Sequence, residues 1–169
     1  INSCIVQKSN IKIETDNFLN FTDLPKVDLV ITSPPYVTSY EYADLHQLST
    51  LWLQYASDYR DLREGSIGSI YNSKGVEINL DLLNAVGKEI VQALLTDHKA
   101  TAKVRSVARY FMDIQLTITK CANMLNDGGM AFFVVGDTEH QGVKIRNSEH
   151  IIECLKNEGF TDIKATKRR

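Results

Sequence analysis

An apolar run, "VDLVIT" from Val27 to Thr32, stops at Ser33 and then at two consecutive prolines, Pro34 and Pro35, before Tyr36. The chain places two of its three prolines here. A run that is apolar through its middle is expected of a parallel strand covered on both faces. Proline fixes φ near about −65° and carries no N–H, and Pro35 also holds Pro34 extended, so the ladder cannot continue. In open parallel sheets, ligands bind just beyond the carboxyl ends of the strands. The loop at this end is stiff, and its carbonyl groups lack internal partners. It suits a ligand that donates hydrogen bonds from an amino group, with the Ser33 hydroxyl as a further acceptor and Tyr36 as a flat stacking face. Taken alone, a Pro-Pro pair can also be a plain strand terminator.

The rest of the chain alternates strand and helix patterns. Residues 11–15 alternate and are β-branched, which predicts a short strand. Leu45, Leu48, Leu51, Trp52 and Tyr55 stand at helical spacing, and Trp52 and His46 are expected in the core. Residues 79–98 predict an amphipathic helix, Lys103 to Leu125 a longer one stopped by "NDGG", and Ser148 to Glu158 a third closed by Gly159. "MAFFVVGD" reads as a second buried strand, with Ala131–Val135 a central neighbour of Val27–Thr32, and "TDIKATK" as a final strand. This order predicts an α/β fold with a mainly parallel sheet and helices on both faces. One domain is expected over residues 1–169. Residues 57–104 begin with a glycine-containing, weakly periodic stretch and are the candidate insertion or target-recognition segment.

Hydrophobic residues make up 43% and charged residues 24%, which is the composition of a folded globular chain. No apolar run approaches the roughly 20 residues of a membrane span. Cys4, Cys121 and Cys154 are widely spaced and form no CxxC pair, which suits reduced thiols in a cytoplasmic protein better than disulfides or a metal site. The formal net charge of −2 excludes a polycation. A nucleic-acid partner would need a local basic patch, for which Lys99, Lys103, Arg105 and Arg109 are the candidates, joined in composition by Lys164, Lys167, Arg168 and Arg169. A solvated helix face accounts for the same residues.

The phrase "DLVITSPPY", its continuation "YVTSYEYADLHQLSTLWL", then "LREGSIGS" and the distant "GGMAFFVVGDT" resemble amino-group DNA methyltransferases, over most of residues 10–160. Within that superfamily the serine form of the motif is similar to the cytosine-N4 branch, whereas DPPY is more typical of adenine-N6 enzymes. The resemblance implies a Rossmann-like methyltransferase fold, S-adenosylmethionine as cofactor, and DNA with a flipped-out base as substrate, in a modification system. Ser33 and the Pro34 carbonyl would accept hydrogen bonds from the target amine, Pro35 would stiffen the loop, and Tyr36 would stack on the base. Asp16, with Asn17 beside it, matches the family's acidic residue near the cofactor adenine; Asp16 also fits a helix N-cap. Gly136, Asp137 and Thr138 would border the base pocket, although a Gly-Asp turn with Asp137 capping fits the same residues.

The family also carries a glycine-rich FxGxG loop, and none of the nine glycines here stands in such a pattern. The chain is therefore expected to be a partial domain, a fragment or one piece of a split enzyme, holding the target-amine half and inactive alone. The alternatives are an adenine-N6 DNA methyltransferase, a tRNA amino-group methyltransferase, and a non-catalytic half that binds DNA or a partner subunit.

Overall fold

The computed structural model describes residues 11–37, 41–63, 65–69, 71, 75, 77–97, 102–140 and 142–167. Its central pairing joins β1, Val27–Thr32, to β2, Leu125–Phe133, in parallel. Val30 lies opposite Ala131 and Thr32 opposite Phe133, and Val134 N–H extends the ladder to the Thr32 carbonyl at 2.9 Å. A register shift lies between Val27 and Leu29, where the neighbouring strand carries Gly128 at φ +76° and Gly129. A Cβ on Gly129 would stand 2.9 Å from the Asn126 carbonyl oxygen and 3.2 Å from that of Asp28, so the close strand approach needs glycine.

One face of this pair packs on a group of three helices. They are α3, Ala85–Asp97, α4, Ala102–Met124, and α5, Asn147–Asn157. Of these, α4 touches β2, and the other two pack on α4 and on each other. On α4, Val104, Val107, Tyr110, Phe111, Ile114, Ile118 and Cys121 recur at three- and four-residue intervals and are all buried. Ile90, Val91 and Leu94 of α3 and Ile151, Cys154 and Leu155 of α5 complete the core, and Phe133 and Val135 pack against it from the sheet side. The helix ends are satisfied locally. Glu153 accepts from the Ala85 and Val86 amides at the start of α3, and Asn84 Oδ1 accepts from Gly87 N. At the end of α5, Gly159 adopts φ +83° and Phe160 N–H returns to the Leu155 carbonyl, as expected for a glycine-closed helix. A small hairpin, β3 Thr138–His140 with β4 Val143–Ile145, links the sheet end to α5.

The α/β character and the parallel pairing are those expected, but the cover is one-sided. Leu29 and Ile31 lie opposite Met130 and Phe132, and all four side chains are exposed, Ile31 at 70% and Phe132 at 54%. Among the described residues each of the two strands pairs only with the other, so neither is central there, and no described helix lies on that face. The run is apolar enough for a fully covered strand, yet a strand's composition does not supply its cover.

The strands expected at 11–15 and 161–167 are also absent, because neither segment finds a ladder partner among the described residues; Ile11 and Ile13 are each 83% exposed. The helix expected after the prolines is two short ones, α1 Tyr42–Leu45 and α2 Gln47–Trp52, broken at His46. Ala43 and Thr50 are their buried positions, while His46 is exposed and Trp52 is 86% exposed, so both lie outside the core. The helical spacing identified an apolar stripe correctly but not the direction it faces. Within residues 57–104, α3 is built into the core, whereas a 3-10 turn at Tyr59–Arg63 packs on α1 and α2. Arg63 fastens that turn: its Nε donates to Asp44 Oδ1 at 3.0 Å, and its guanidinium lies 4.1 Å from the Tyr71 ring centroid.

Candidate functional site

Ser33 continues directly from β1 at the carboxyl end of the parallel pair. Its hydroxyl donates to the Val134 carbonyl at 3.2 Å, across 101 positions of sequence. A hydroxyl has one proton and two lone pairs, so a proton committed to Val134 leaves the oxygen as an acceptor. Ser33 is exposed and Pro34 buried, with Pro35 and Tyr36 half-buried. The loop is therefore anchored by its first proline and open at its serine.

Tyr36 is held on two sides. Its amide donates to Tyr42 Oη at 3.3 Å, and its ring lies against Gly136, where an added Cβ would stand 3.6 Å from Cε1 and 3.7 Å from Cζ. Thr138 Oγ1 donates to the carbonyl of Val37, which is fully buried, at 3.4 Å. Asn147 Nδ2 donates to the Gly136 carbonyl at 2.8 Å. The phrases "SPPY" and "VVGDT" thus meet through named contacts. Asp137 is engaged elsewhere. Its Oδ1 accepts from Ser148 N at 2.9 Å and its Oδ2 from Ser148 Oγ at 3.1 Å, which caps α5. Gly136→Ala should be tolerated, since its Cβ would make only ordinary contact. Gly136→Val should cost roughly 1–3 kcal/mol, as branching atoms overpack the Tyr36 ring. Urea denaturation of the two variants measures the difference.

Asp16 and Asn17 lie beside this loop. An open groove of about 550 Å³ is lined by Asp16, Asn17, Pro35, Tyr42, Gly65 and Ser66, among others. Asn17, one residue beyond the expected position, is the cap of the 3-10 turn at Phe18–Asn20, its Oδ1 accepting from Leu19 N at 2.9 Å. Asp16 Oδ1 accepts from Asn17 N at 2.6 Å and from Asn20 Nδ2 at 3.0 Å. Lys120 of α4 donates to the Leu19 and Phe21 carbonyls at 2.7 and 2.6 Å and so pins this turn to the core. The groove brings together an acidic side chain, apolar walls and the second proline of the loop.

The basic candidates do not form one stripe. Lys99 lies outside the described residues, and Lys103 and Arg105 are half-buried on α4. At about 100° per residue, Lys103 and Arg105 point to nearly opposite sides of the helix. Arg109 is exposed, and its Nε donates to Asp113 Oδ1 at 2.9 Å. Burial pushes the Asp113 carboxyl above its usual range, with Arg109 opposing that shift. Sequence reasoning does not single out Tyr42 or Gly68 at this site. Gly68 leaves a trace in the glycine spacing of "GSIGS", which by itself signals no more than an irregular loop.

No family model matches the chain, and no solved structure does. Among curated proteins the chain is similar to Type II methyltransferase M.MvaI of Kocuria varians, at 26% identity over 164 residues. The match takes in 90% of this chain and 34% of that protein, so the chain spans about a third of the length of its curated relative.

Proposed function

We propose that this chain is the target-amine half of an S-adenosylmethionine-dependent DNA methyltransferase with a Rossmann-like sheet, acting on an exocyclic amine, cytosine N4. The observation that carries it is the polarised Ser33 hydroxyl beside the Pro34–Pro35 loop, at a strand end where the Tyr36 ring is held against Gly136. The similarity to a type II methyltransferase supports the same reading.

The residues of this chain supply position and hydrogen-bond acceptance. Ser33 Oγ and the Pro34 carbonyl accept the N–H groups of the amine, which directs its lone pair away from the loop and toward the groove side. The amine's surplus proton can leave to solvent after attack, so no strong base is required. Tyr36 provides the stacking face for a flipped base. The groove fits the adenosine part of the cofactor in its chemistry: Asp16 is an acceptor for an exocyclic amine, only its Oδ1 is engaged among the described residues, and Pro35 and Tyr42 give apolar walls. The cofactor, when bound, supplies an electrophilic methyl group on a sulfonium. A neutral serine accepts from the amine without adding charge; an aspartate at the same place would be a charge-assisted acceptor, roughly twice as strong. That difference favours the cytosine assignment. On this reading the uncovered sheet face meets the half that carries the glycine loop, and target recognition falls within residues 57–104.

Mass spectrometry of nucleosides from DNA exposed to the complete protein tests the function, with N4-methylcytosine as the expected product. N6-methyladenine alone would overturn the base assignment, and modified tRNA with unmodified DNA would overturn the substrate. The 169-residue chain alone should bind S-adenosylmethionine weakly or not at all in isothermal titration, because the glycine-loop contacts are not in its sequence. Low-micromolar affinity would place the whole cofactor site within these residues.

A further inference from the structure

We propose that segment 65–69 is a strap coupling the groove beside Asp16 to the Ser33–Tyr36 loop, with Gly68 as its positioning residue. The proposal rests on the methyl-transfer function above, and it concerns how occupancy of one subsite prepares the other.

One end of the strap belongs to the groove. The Gly65 carbonyl accepts from Asn17 Nδ2 at 2.6 Å, and Gly65 and Ser66 form the wall that faces the Asp16 turn. The strap is folded on itself by short bonds: Ser66 Oγ donates to the Leu62 carbonyl at 2.7 Å, and Ser69 N to the Ser66 carbonyl at 3.2 Å. Its other end belongs to the amine-binding loop. Gly68 sits at φ +84°, and a Cβ there would stand 3.4 Å from Tyr110 Cδ2, 3.8 Å from the Tyr36 carbonyl oxygen and 3.9 Å from Val37 Cα. Gly68 is thus wedged between a ring of α4 and the backbone that carries Tyr36. Ser106 Oγ donates to the Gly68 carbonyl at 3.3 Å, and Ser69 Oγ to Glu41 Oε2 at 3.0 Å. Glu41 immediately precedes Tyr42, whose hydroxyl receives the Tyr36 amide.

The packing under the wedge has one unsettled group. Tyr110 is 1% exposed, and its hydroxyl has no hydrogen-bond partner among the described residues. That hydroxyl lies across the ring from the Cδ2 edge that meets Gly68, so the ring under the strap is packed but held by no hydrogen bond of its hydroxyl among the described residues. A ligand in the groove presses on Gly65 and Ser66 and fixes the strap. The fixed strap holds Gly68 against Tyr36 and Val37 before the base arrives. The second ligand then meets a loop that is already ordered, which is positive coupling by reduced ordering entropy.

The test measures binding of a random-sequence pool of unmethylated duplexes to the complete protein, with and without S-adenosylhomocysteine. The cofactor product should tighten DNA binding by wild type about threefold or more, and Gly68→Ala should bring that factor close to one. Gly159→Ala is the matched control. Gly159 has φ +83° and nothing within 4 Å of an added Cβ, so alanine there introduces similar backbone strain away from the strap. It should lower the melting temperature and leave the coupling factor unchanged. Asn17→Asp keeps the oxygen that caps Leu19 N but loses the donor to Gly65, and it should lose coupling as Gly68→Ala does. An unchanged factor in both strap variants, or an equal loss in Gly159→Ala, overturns the strap. If the wild-type protein transfers no methyl group to DNA, the functional reading falls and the strap with it. If it does transfer, and coupling ignores the variants, only the strap falls.

Discussion

Ser33→Ala should lower methyl transfer by the complete protein on the order of 10–1,000-fold while leaving its fold intact. The two effects separate because of where the hydroxyl sits. Its bond to the Val134 carbonyl is exposed to solvent, so water replaces it and the loss to stability is about 0.5–1.5 kcal/mol at most. The same oxygen is the acceptor expected to orient the amine, and orientation is needed most in the transition state. Single-turnover transfer of a labelled methyl group, compared with a thermal melt of the same variant, separates the two. Tyr36→Ala should act on the other quantity, weakening capture of the flipped base by ~1–3 kcal/mol for the lost stacking face. A Ser33→Ala variant with wild-type turnover would remove Ser33 from the chemistry. The polarised hydroxyl would then be no more than a tie between β1 and the residue that follows β2.

How much of this was legible in the sequence depended on the range of the physics involved. The three long helices were readable because apolar spacing is a local signal: Val104 to Cys121 define the buried face of α4 without reference to any partner. The parallel pairing of β1 and β2 was readable from their continuous apolar character. What covers the second face was not, because Leu29, Ile31 and Phe132 report only that they are apolar. Residues 11–15 show the same limit, since alternation predicts a strand and a strand exists only where a ladder partner exists. Trp52 shows it for helices. At the site, the motif phrases placed Ser33, Tyr36 and Gly136 together, and the Tyr36 ring does lie on Gly136. Asp137 makes the capping contacts to Ser148 that one of its two readings foresaw. The Asn17–Gly65 bond spans 48 positions and the Gly68 wedge joins three separate segments, and no periodicity encodes contacts of that kind.

Stability should fall as pH drops from about 6.5 to about 4, and His150 should account for most of that fall. His150 on α5 is fully buried. Its Nδ1 lies 2.8 Å from Asn84 Oδ1 and its Nε2 3.3 Å from the Phe111 carbonyl oxygen, with the Phe111 ring centroid at 4.3 Å. Asn84 is fixed in orientation, because its Oδ1 also accepts from Gly87 N while its Nδ2 donates to the His150 carbonyl and to Cys154 Sγ. Burial is the main cause that pushes the imidazole down to about 4, against the opposing pull of the Phe111 carbonyl and Glu153. Asn84 Oδ1, a second acceptor, also favours the charged ring, and the neutral ring has one N–H to give to only one of the two oxygens. The thiol of Cys154, whose Sγ lies 3.6 Å from Nε2, is pushed up to about 12 by burial and carries no charge in this range. The unfolded chain takes up a proton near pH 6.5 while the folded chain stays neutral, so the unfolded state binds more protons between the two values. The stabilising difference is complete above pH 6.5, declines through the window, and is gone near pH 4. A shift of this size corresponds to about 3 kcal/mol. Asp113 works in the opposite sense, since its raised carboxyl favours the folded state on acidification, and the observed slope is the balance of the two. Urea melts at pH 7.5, 6, 5 and 4 give that slope, and His150→Gln should flatten it at a lower overall stability. A variant that keeps the wild-type slope would show that the acid sensitivity lies in the carboxylates, and that the imidazole among Asn84, Phe111 and Cys154 is no proton-linked element of the fold.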